Sequence, residues 1–413
     1  MDMTWTDRQD ELRRRFTAFG RERVAPDSDR RDREEAFELP LWQELADAGF
    51  WAVHVPKRYG GDGGDLWDHV AAFEGLARGA RDCGFVLSAA AHAGLQQLLL
   101  RYGTEEQKEA LLPGLVSGRI GATAATEAAG GSHVSAVTTS ARPKPGGGGY
   151  LLSGQKSHIT NAPVADLMMV VGRVAGIGPR DITLFLVEKG QPGVEQGPQE
   201  SLLGLRTSPM GPIVLDDVEI TPERVLGGIG SGLDVLYWCL AFDRMIYGIV
   251  VSAHLESLLP TAIERITTRK AFGSPIGEHQ YIQDKVVDMQ MTVTASRALS
   301  YATVGALVRT DDTDRASLLA SCVKLLSAEG LVRAGLELVQ IFGHLGFESG
   351  SGIERQLRDA VAFRIAGGTN EMQKKNIFNQ VLRAHSGGAG LRPPTRKETK
   401  SDGASDIDRV EGP

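Results

Sequence analysis

The chain has 413 residues, 42% of them hydrophobic and 23% charged, with a formal net charge of −7. That length exceeds one ordinary core and predicts two or three packed units, each able to fold without disulfides. The acidic balance, with no basic stripe carrying interleaved aromatics, excludes a nucleic-acid partner.

Met1 to Glu35 is dense in Arg, Asp and Glu, unlike a signal or transit peptide. From Thr6 to about Ser117 the pattern is helical, with breaks at Pro40, at Pro56 to Gly64 and near Gly103. Leu39 to Phe50 sets Leu41, Leu45 and Ala48 on one face of an amphipathic helix. Thr104 followed by Gln107 predicts a capping box at a helix start. From Arg119 to about Val225 the chain turns β-prone. Strands are expected at Tyr150–Ser153, Leu167–Val171, Ile182–Val187 and Ile213–Ile220, with a turn at Gly146 to Gly149. After Gly232 the helical period returns. Ile282, Val286, Met289 and Val293 form one seam, and Leu318, Cys322 and Leu325 a second.

The expected fold is therefore α+β multidomain: an N-terminal α-helical domain (1–118), a central β-barrel or sandwich (119–228) and a C-terminal four-helix bundle (229–386). A disordered tail (387–413), rich in Gly, Pro, Lys, Asp and Ser, follows. Cys83, Cys239 and Cys322 lie far apart without a C-x-x-C pair, which argues against a metal site and for a reducing cytoplasm. No apolar run approaches the roughly 20 residues of a membrane span, so no membrane partner is expected.

Three clusters carry candidate chemistry. Thr126-Glu127-Ala-Ala-Gly-Gly131-Ser132-His133 has the small residues and hydroxyls that let backbone N–H groups approach a flat polar ring; read alone, a Gly-rich surface turn is the first reading. Gly154-Gln155-Lys156-Ser157-His158-Ile159-Thr160-Asn161 reads as a strand end with a turn. Arg269-Lys-Ala-Phe272-Gly273 and Gln340-Ile-Phe-Gly343 bracket the bundle. There an Arg can meet a pyrophosphate bidentately and a Gly can admit it to the backbone; read alone, each segment is a helix terminus first.

Their order adds weight. These three are joined by Phe272-Gly273-x-Pro275-Ile276…Gln280-x-Ile282-Gln283, by Gln340-Ile-Phe-Gly343…Gly346-Phe347, and by Glu354-Arg355…Arg358-Asp359…Gly368-Thr369-Asn370-Glu371. Together they resemble the acyl-CoA dehydrogenase family over roughly residues 5 to 385. The resemblance implies FAD between the β-domain and the bundle, in a homotetramer or dimer of dimers whose neighbouring subunit completes the FAD site. Carried across, Thr126 and Ser132 line the flavin and thioester, and Thr160 touches the flavin ring. Arg269, Phe272, Gln280, Gln340 and Gly343 serve the adenosine and pyrophosphate half, partly across a subunit boundary. Thr369 and Glu371 hold its other flank.

The family reaction removes an α-proton from an acyl thioester while the β-hydrogen leaves as hydride, and it needs a carboxylate near the α-carbon. Most of the family carries a Glu directly before Gly-Thr; here Gly367 stands there, in Ile365-Ala-Gly367-Gly368-Thr369. A minority carries the base on a bundle helix beside an Arg, which here is Asp243 followed by Arg244. Between Leu236 and Val251 these are the only charges, and buried charges are rare unless paired or functional. Asp243 is thus either the base or half of a structural ion pair at a subunit contact. Two further departures are His158, where the family usually has a Trp on the flavin, and His133, where it usually has Asp. His158 is a smaller stacking ring or a polar group that alters flavin reactivity.

The expected activity is FAD-dependent α,β-dehydrogenation of a short, branched or functionalised acyl thioester on CoA or a carrier protein. Electrons would pass to an electron-transfer flavoprotein or to oxygen. The alternatives are non-standard flavin chemistry in a biosynthetic pathway (oxygenation, cyclisation or remote desaturation) and a catalytically silent FAD-binding subunit of a heteromer.

Overall fold

Helix starts in the first third are written locally. Thr6 accepts from the Gln9 backbone and Gln9 reciprocates, opening α1 (Asp7–Phe19). α2 (Ser28–Glu34) and α3 (Leu39–Asp47) follow, and α3 buries Leu41, Trp42 and Leu45 while Ala48 is its C-cap. Asp65 caps α4 (Leu66–Ala80) in the same reciprocal way. α5 runs Cys83–Tyr102, and α6 (Glu105–Val116) begins with the expected Thr104–Gln107 capping box. The computed structural model describes residues 5–178, 180–309 and 313–385; the expected tail, 387–413, lies outside them.

β1 (Gly121–Ala124), β2 (Ser140–Pro143), β3 (Tyr150–Thr160), β4 (Leu167–Val174), β5 (Ile182–Glu188), β6 (Val194–Gln196), β7 (Met210–Ile220) and β8 (Val225–Leu226) form one sheet. Its order is β6-β7-β3-β2-β4-β5-β8, with β1 parallel to β4. The pairings are antiparallel except β1–β4 and β2–β4. β4 is apolar on both faces. Met168 and Val170 pack with Leu152, Phe185 and Ile213, while Leu167, Met169 and Val171 pack with Leu95, Leu98 and Leu112 of α5 and α6. A strand buried on both faces loses the polar alternation of a solvated one.

α7 (Gly232–Thr268) is 37 residues long, about 55 Å. A two-strand hairpin, β9 (Lys270–Ala271) with β10 (Ser274–Pro275), joins it to α8 (Gln280–Val308). α9 (Thr313–Phe342), α10 (His344–Phe347), α11 (Ile353–Phe363) and α12 (Asn370–His385) complete the described chain. α7 packs against α4, α5, α8 and α9. One core therefore joins Trp42, Phe50, Trp51 and Phe73 of the N-terminal domain to Phe242, Ile246 and Ile249 of the bundle.

Two expectations change here. By length and mean hydropathy α5 and α7 are apolar enough to cross a membrane, contrary to the reading that no run approaches that size. Their most apolar windows are 89% and 78% buried inside the fold, so both are core helices. The seam on α9 also shifts. Leu318, Cys322 and Leu325 are half-buried, whereas the face turned inward carries Ala320, Val323, Ser327, Ala328 and Leu331. Small residues on that face let α9 lie close to α7 and α8; Gly248 of α7 has Ser300 and Val323 where its own Cβ would be.

Candidate active site

A cleft of about 1510 Å³ opens where the ends of β1 and β3 meet α5, the first half of α7 and the turn between α11 and α12. The Gly-rich segment 126–133 forms one rim. It is fixed from beneath by Glu127, a residue the sequence motif contained without revealing its task. Glu127 accepts from the backbone and hydroxyl of Thr138 and Thr139 and from Lys156 Nζ at 2.8 Å. Both members of this pair are buried. Burial alone would raise the Glu127 carboxyl, but Lys156 and the two threonines together hold it at about 2. The Thr126 carbonyl accepts from the Ser157 N–H at 3.0 Å, tying the rim to β3.

The segment 154–161, expected to be a strand end, continues β3 through Thr160. Its pairing with β7 slips between Lys156 and Ile159, and His158 adopts φ +57°. A slip of this kind is a bulge, which re-aims a side chain. His158 thereby reaches the cleft with its side chain 63% exposed, and its Nδ1 lies 2.8 Å from a Glu200 carboxylate oxygen.

Asp243 faces the cleft from α7. Its Oδ2 lies 3.9 Å from Cys239 Sγ, one helical turn away, and its Oδ1 is buried without a hydrogen-bond partner. The wall behind it is α5, where a Cβ on Gly94 would sit 2.9 Å from Oδ1. Burial raises the Asp243 carboxyl to about 7 against the opposing pull of Arg244. Arg244 itself turns away: its Nε donates to the Gly367 carbonyl at 2.9 Å. Neighbouring helix residues point in different directions, and each finds its own surroundings here. One carboxylate oxygen is left without a partner, while the guanidinium braces the turn at Gly367.

That wall is the turn between α11 and α12. Gly367 and Gly368 have φ +67° and +86°, a region that strains any side chain. A Cβ at Gly367 would lie 2.7 Å from Tyr247 Cε2, so the tyrosine ring fills the space a side chain at 367 would need. Gln373 Nε2 donates to the Gly368 carbonyl at 2.8 Å. Buried Lys324 donates to the Arg364 carbonyl at 3.0 Å and to Asn370 Oδ1 at 2.8 Å. Burial lowers the Lys324 ammonium to about 7. Tyr247, Lys324 and Gln373 escaped the sequence reading; the apolar stretch around Lys324 was the available signal, since a lone Lys on a buried helix face needs partners.

Thr126, Ser132, His133, His158, Thr160, Asp243, Arg244 and Thr369 all line the one cleft. Arg269, Phe272, Gln280, Gln340, Gly343 and Glu371 do not. The first five of these gather on the outer end of the bundle, around the β9–β10 hairpin and the close of α9. Arg265 donates to the Phe342 carbonyl there, at 3.0 Å. Phe272 is 99% exposed. The motif Glu354-Arg355…Arg358-Asp359 is structural: Arg358 pairs with Asp32, Arg355 with Asp29, and Asp359 accepts from the Leu205 N–H at 2.7 Å.

The cleft fits FAD. It is large, it carries the hydroxyls of Thr126, Ser132, Thr160 and Thr369, and at Gly131, Gly367 and Gly368 the backbone is free of any Cβ.

The sequence matches three domain families in order: acyl-CoA dehydrogenase N-terminal domain at 6–119, middle domain at 122–218 and C-terminal domain at 230–382. It is 32% identical over 389 residues to a short-chain-specific acyl-CoA dehydrogenase of Megasphaera elsdenii, covering 93% of this chain and all of the relative. It is 30% identical over 384 residues to an L-prolyl-[peptidyl-carrier protein] dehydrogenase of Serratia sp., covering 92% and 98%. The solved structure of PigA with FAD and proline superposes with a TM-score of 0.87 at 28% identity, covering 94% of this chain and all of that one. The chain belongs to the acyl-CoA dehydrogenase family, and with it to the FAD-dependent oxidoreductases that act on the CH–CH bonds of acyl thioesters.

Proposed function

We propose that the protein dehydrogenates the α,β-bond of a short, branched or functionalised acyl thioester, with Asp243 as the base. One observation carries this reading: a carboxylate oxygen enclosed at the cleft without any partner, on a group that burial raises to about 7. A general base works best when its own value lies near the working pH. Gly367 has no side chain to take a proton, and the Tyr247 ring lies against it, which supports Asp243 on α7 as the group that accepts the α-proton. FAD, when bound, takes the β-hydrogen as hydride. Arg244 holds the Gly367 carbonyl and so keeps the far wall of the cavity in place.

Leu87, Ala90 and Ala91 of α5 and Tyr247 of α7 line the cleft together with Asp243, which supports an apolar acyl group. Relatives named for butyryl-CoA, isovaleryl-CoA and carrier-bound prolyl substrates support both thioester handles, CoA and a carrier protein. Arg269, Phe272, Gln280, Gln340 and Gly343, exposed at the outer end of the bundle, support a second copy of the chain whose FAD they help to hold, within a homotetramer. We assign Glu371, in the first turn of α12 beside Thr369, to the other flank of FAD. Electron-transfer flavoprotein or oxygen is the acceptor class.

The test is anaerobic mixing of the yellow holoenzyme with a panel of acyl-CoA and acyl-pantetheine thioesters, following loss of flavin absorbance. At least one short or branched thioester should bleach the wild type, and Asp243→Ala should bind FAD but stay yellow. Equal bleaching by that variant removes Asp243 from the mechanism.

A further inference from the structure

The acyl wall next to Asp243 contains a group that plain hydrocarbon recognition does not require. Tyr247 lies one helical turn after Asp243 on α7 and lines the same cleft. Its ring is fixed from two sides. It meets Phe363 edge-on at 5.7 Å between centroids, and Gly367 lies flush against its Cε2 edge. Its hydroxyl has no hydrogen bond to any described residue and is not among the enclosed orphan atoms. It is therefore open to the cavity.

A buried or half-buried tyrosine usually finds a partner for its O–H. A leucine or phenylalanine would fill the same space without an unmet hydrogen bond, and an unmade bond in an enclosed site is costly. The geometry points to Tyr247 as the specificity-determining residue for the acyl group. Its hydroxyl is the hydrogen-bond partner of a polar atom (hydroxyl, amine or ring nitrogen) carried by the substrate beyond its β-carbon. The substrate class narrows from any compact acyl thioester to one with a heteroatom on the chain. Burial and the neighbouring Asp243 both raise the phenol above its ordinary value, so it meets the substrate as a neutral group able both to donate and to accept. The glycine at 367 is part of the same device, because any side chain there would evict the ring.

This inference rests on the reading of the cleft as the acyl site, and the experiment separates the two. The probes are 4-hydroxybutanoyl-pantetheine and pentanoyl-pantetheine, which have the same number of chain atoms and differ in one oxygen. Binding is read from the perturbation of the flavin spectrum in Asp243→Asn, where turnover is blocked, with and without Tyr247→Phe. The hydroxylated probe should bind about tenfold more tightly than pentanoyl when Tyr247 is present. Tyr247→Phe should erase that preference by weakening the hydroxylated probe about tenfold relative to pentanoyl. A preference that survives Tyr247→Phe, or no preference at all, overturns the inference. Binding that obeys Tyr247 combined with flavin bleaching that ignores Asp243→Asn would keep the inference and remove the assigned base.

Discussion

Asp243→Asn separates a base from a bystander through its pH dependence as well as its rate. The folded protein holds this carboxyl at about 7, raised from 3.8 by burial. A base accepts a proton only when ionised, so its activity is present above that value and fades as the pH falls through it. At pH 8 about nine tenths of the groups are ionised, at pH 6 about a tenth. Below pH 7 the rate constant for flavin reduction should therefore fall close to tenfold per unit. Asn keeps the shape and cannot accept the proton, so the rate should drop by about 10²- to 10⁴-fold and the remainder should lose the acidic limb. The assay is stopped-flow reduction at saturating thioester between pH 5.5 and 9, with FAD content measured in parallel. An acidic limb of unchanged midpoint in Asp243→Asn would refute the argument, because some other group would then be titrating.

Three further outcomes follow from the geometry. Gly94→Ala places a methyl 2.9 Å from Asp243 Oδ1. It should slow flavin reduction by about 10- to 100-fold through misplacement, with FAD content unchanged; full activity would mean the carboxylate is not held there. Lys156→Met strands Glu127 in a buried site and should cost about 3–5 kcal/mol in denaturant unfolding, with faster FAD release; a loss below about 1 kcal/mol contradicts the bracing role. His69 is fully buried with both ring nitrogens unpaired, and burial holds it well below 6.5. The unfolded chain thus takes up a proton there that the folded one refuses, and stability present above pH 6.5 is lost as the pH falls. His69→Leu should remove that loss, gaining on the wild type by about 1.4 kcal/mol per unit below 6.5. Parallel urea midpoints at pH 7 and 5.5 would show the imidazole is not shielded.

Much of the fold is local information. The capping pair Thr104–Gln107, the apolar runs that became β4 and β5, and the change from helical to strand pattern near residue 119 are all legible in short windows. The ordered motifs, read through the family resemblance, pointed to Thr126, Ser132, His158, Thr160 and Thr369, which line the cleft, and also to Arg269, Phe272, Gln280, Gln340, Gly343 and Glu371, which do not; the amino acids alone showed that position 367 has no carboxylate and that Asp243 sits in an apolar stretch. What the sequence leaves open is which atoms meet. The bond from Arg244 to Gly367 spans 123 positions, and the one from Lys156 to Glu127 spans 29; no periodicity records a pairing of that kind. His158 reaches the cleft because a register slip turns it there, and α9 faces inward with different residues from those its apolar spacing suggests, because small side chains allow closer helix contact. Charge and burial are decided by packing. Asp243 becomes a candidate base because α5 and α7 enclose one of its oxygens, and that enclosure exists only once Gly94 and Asp243, far apart in the chain, have come together.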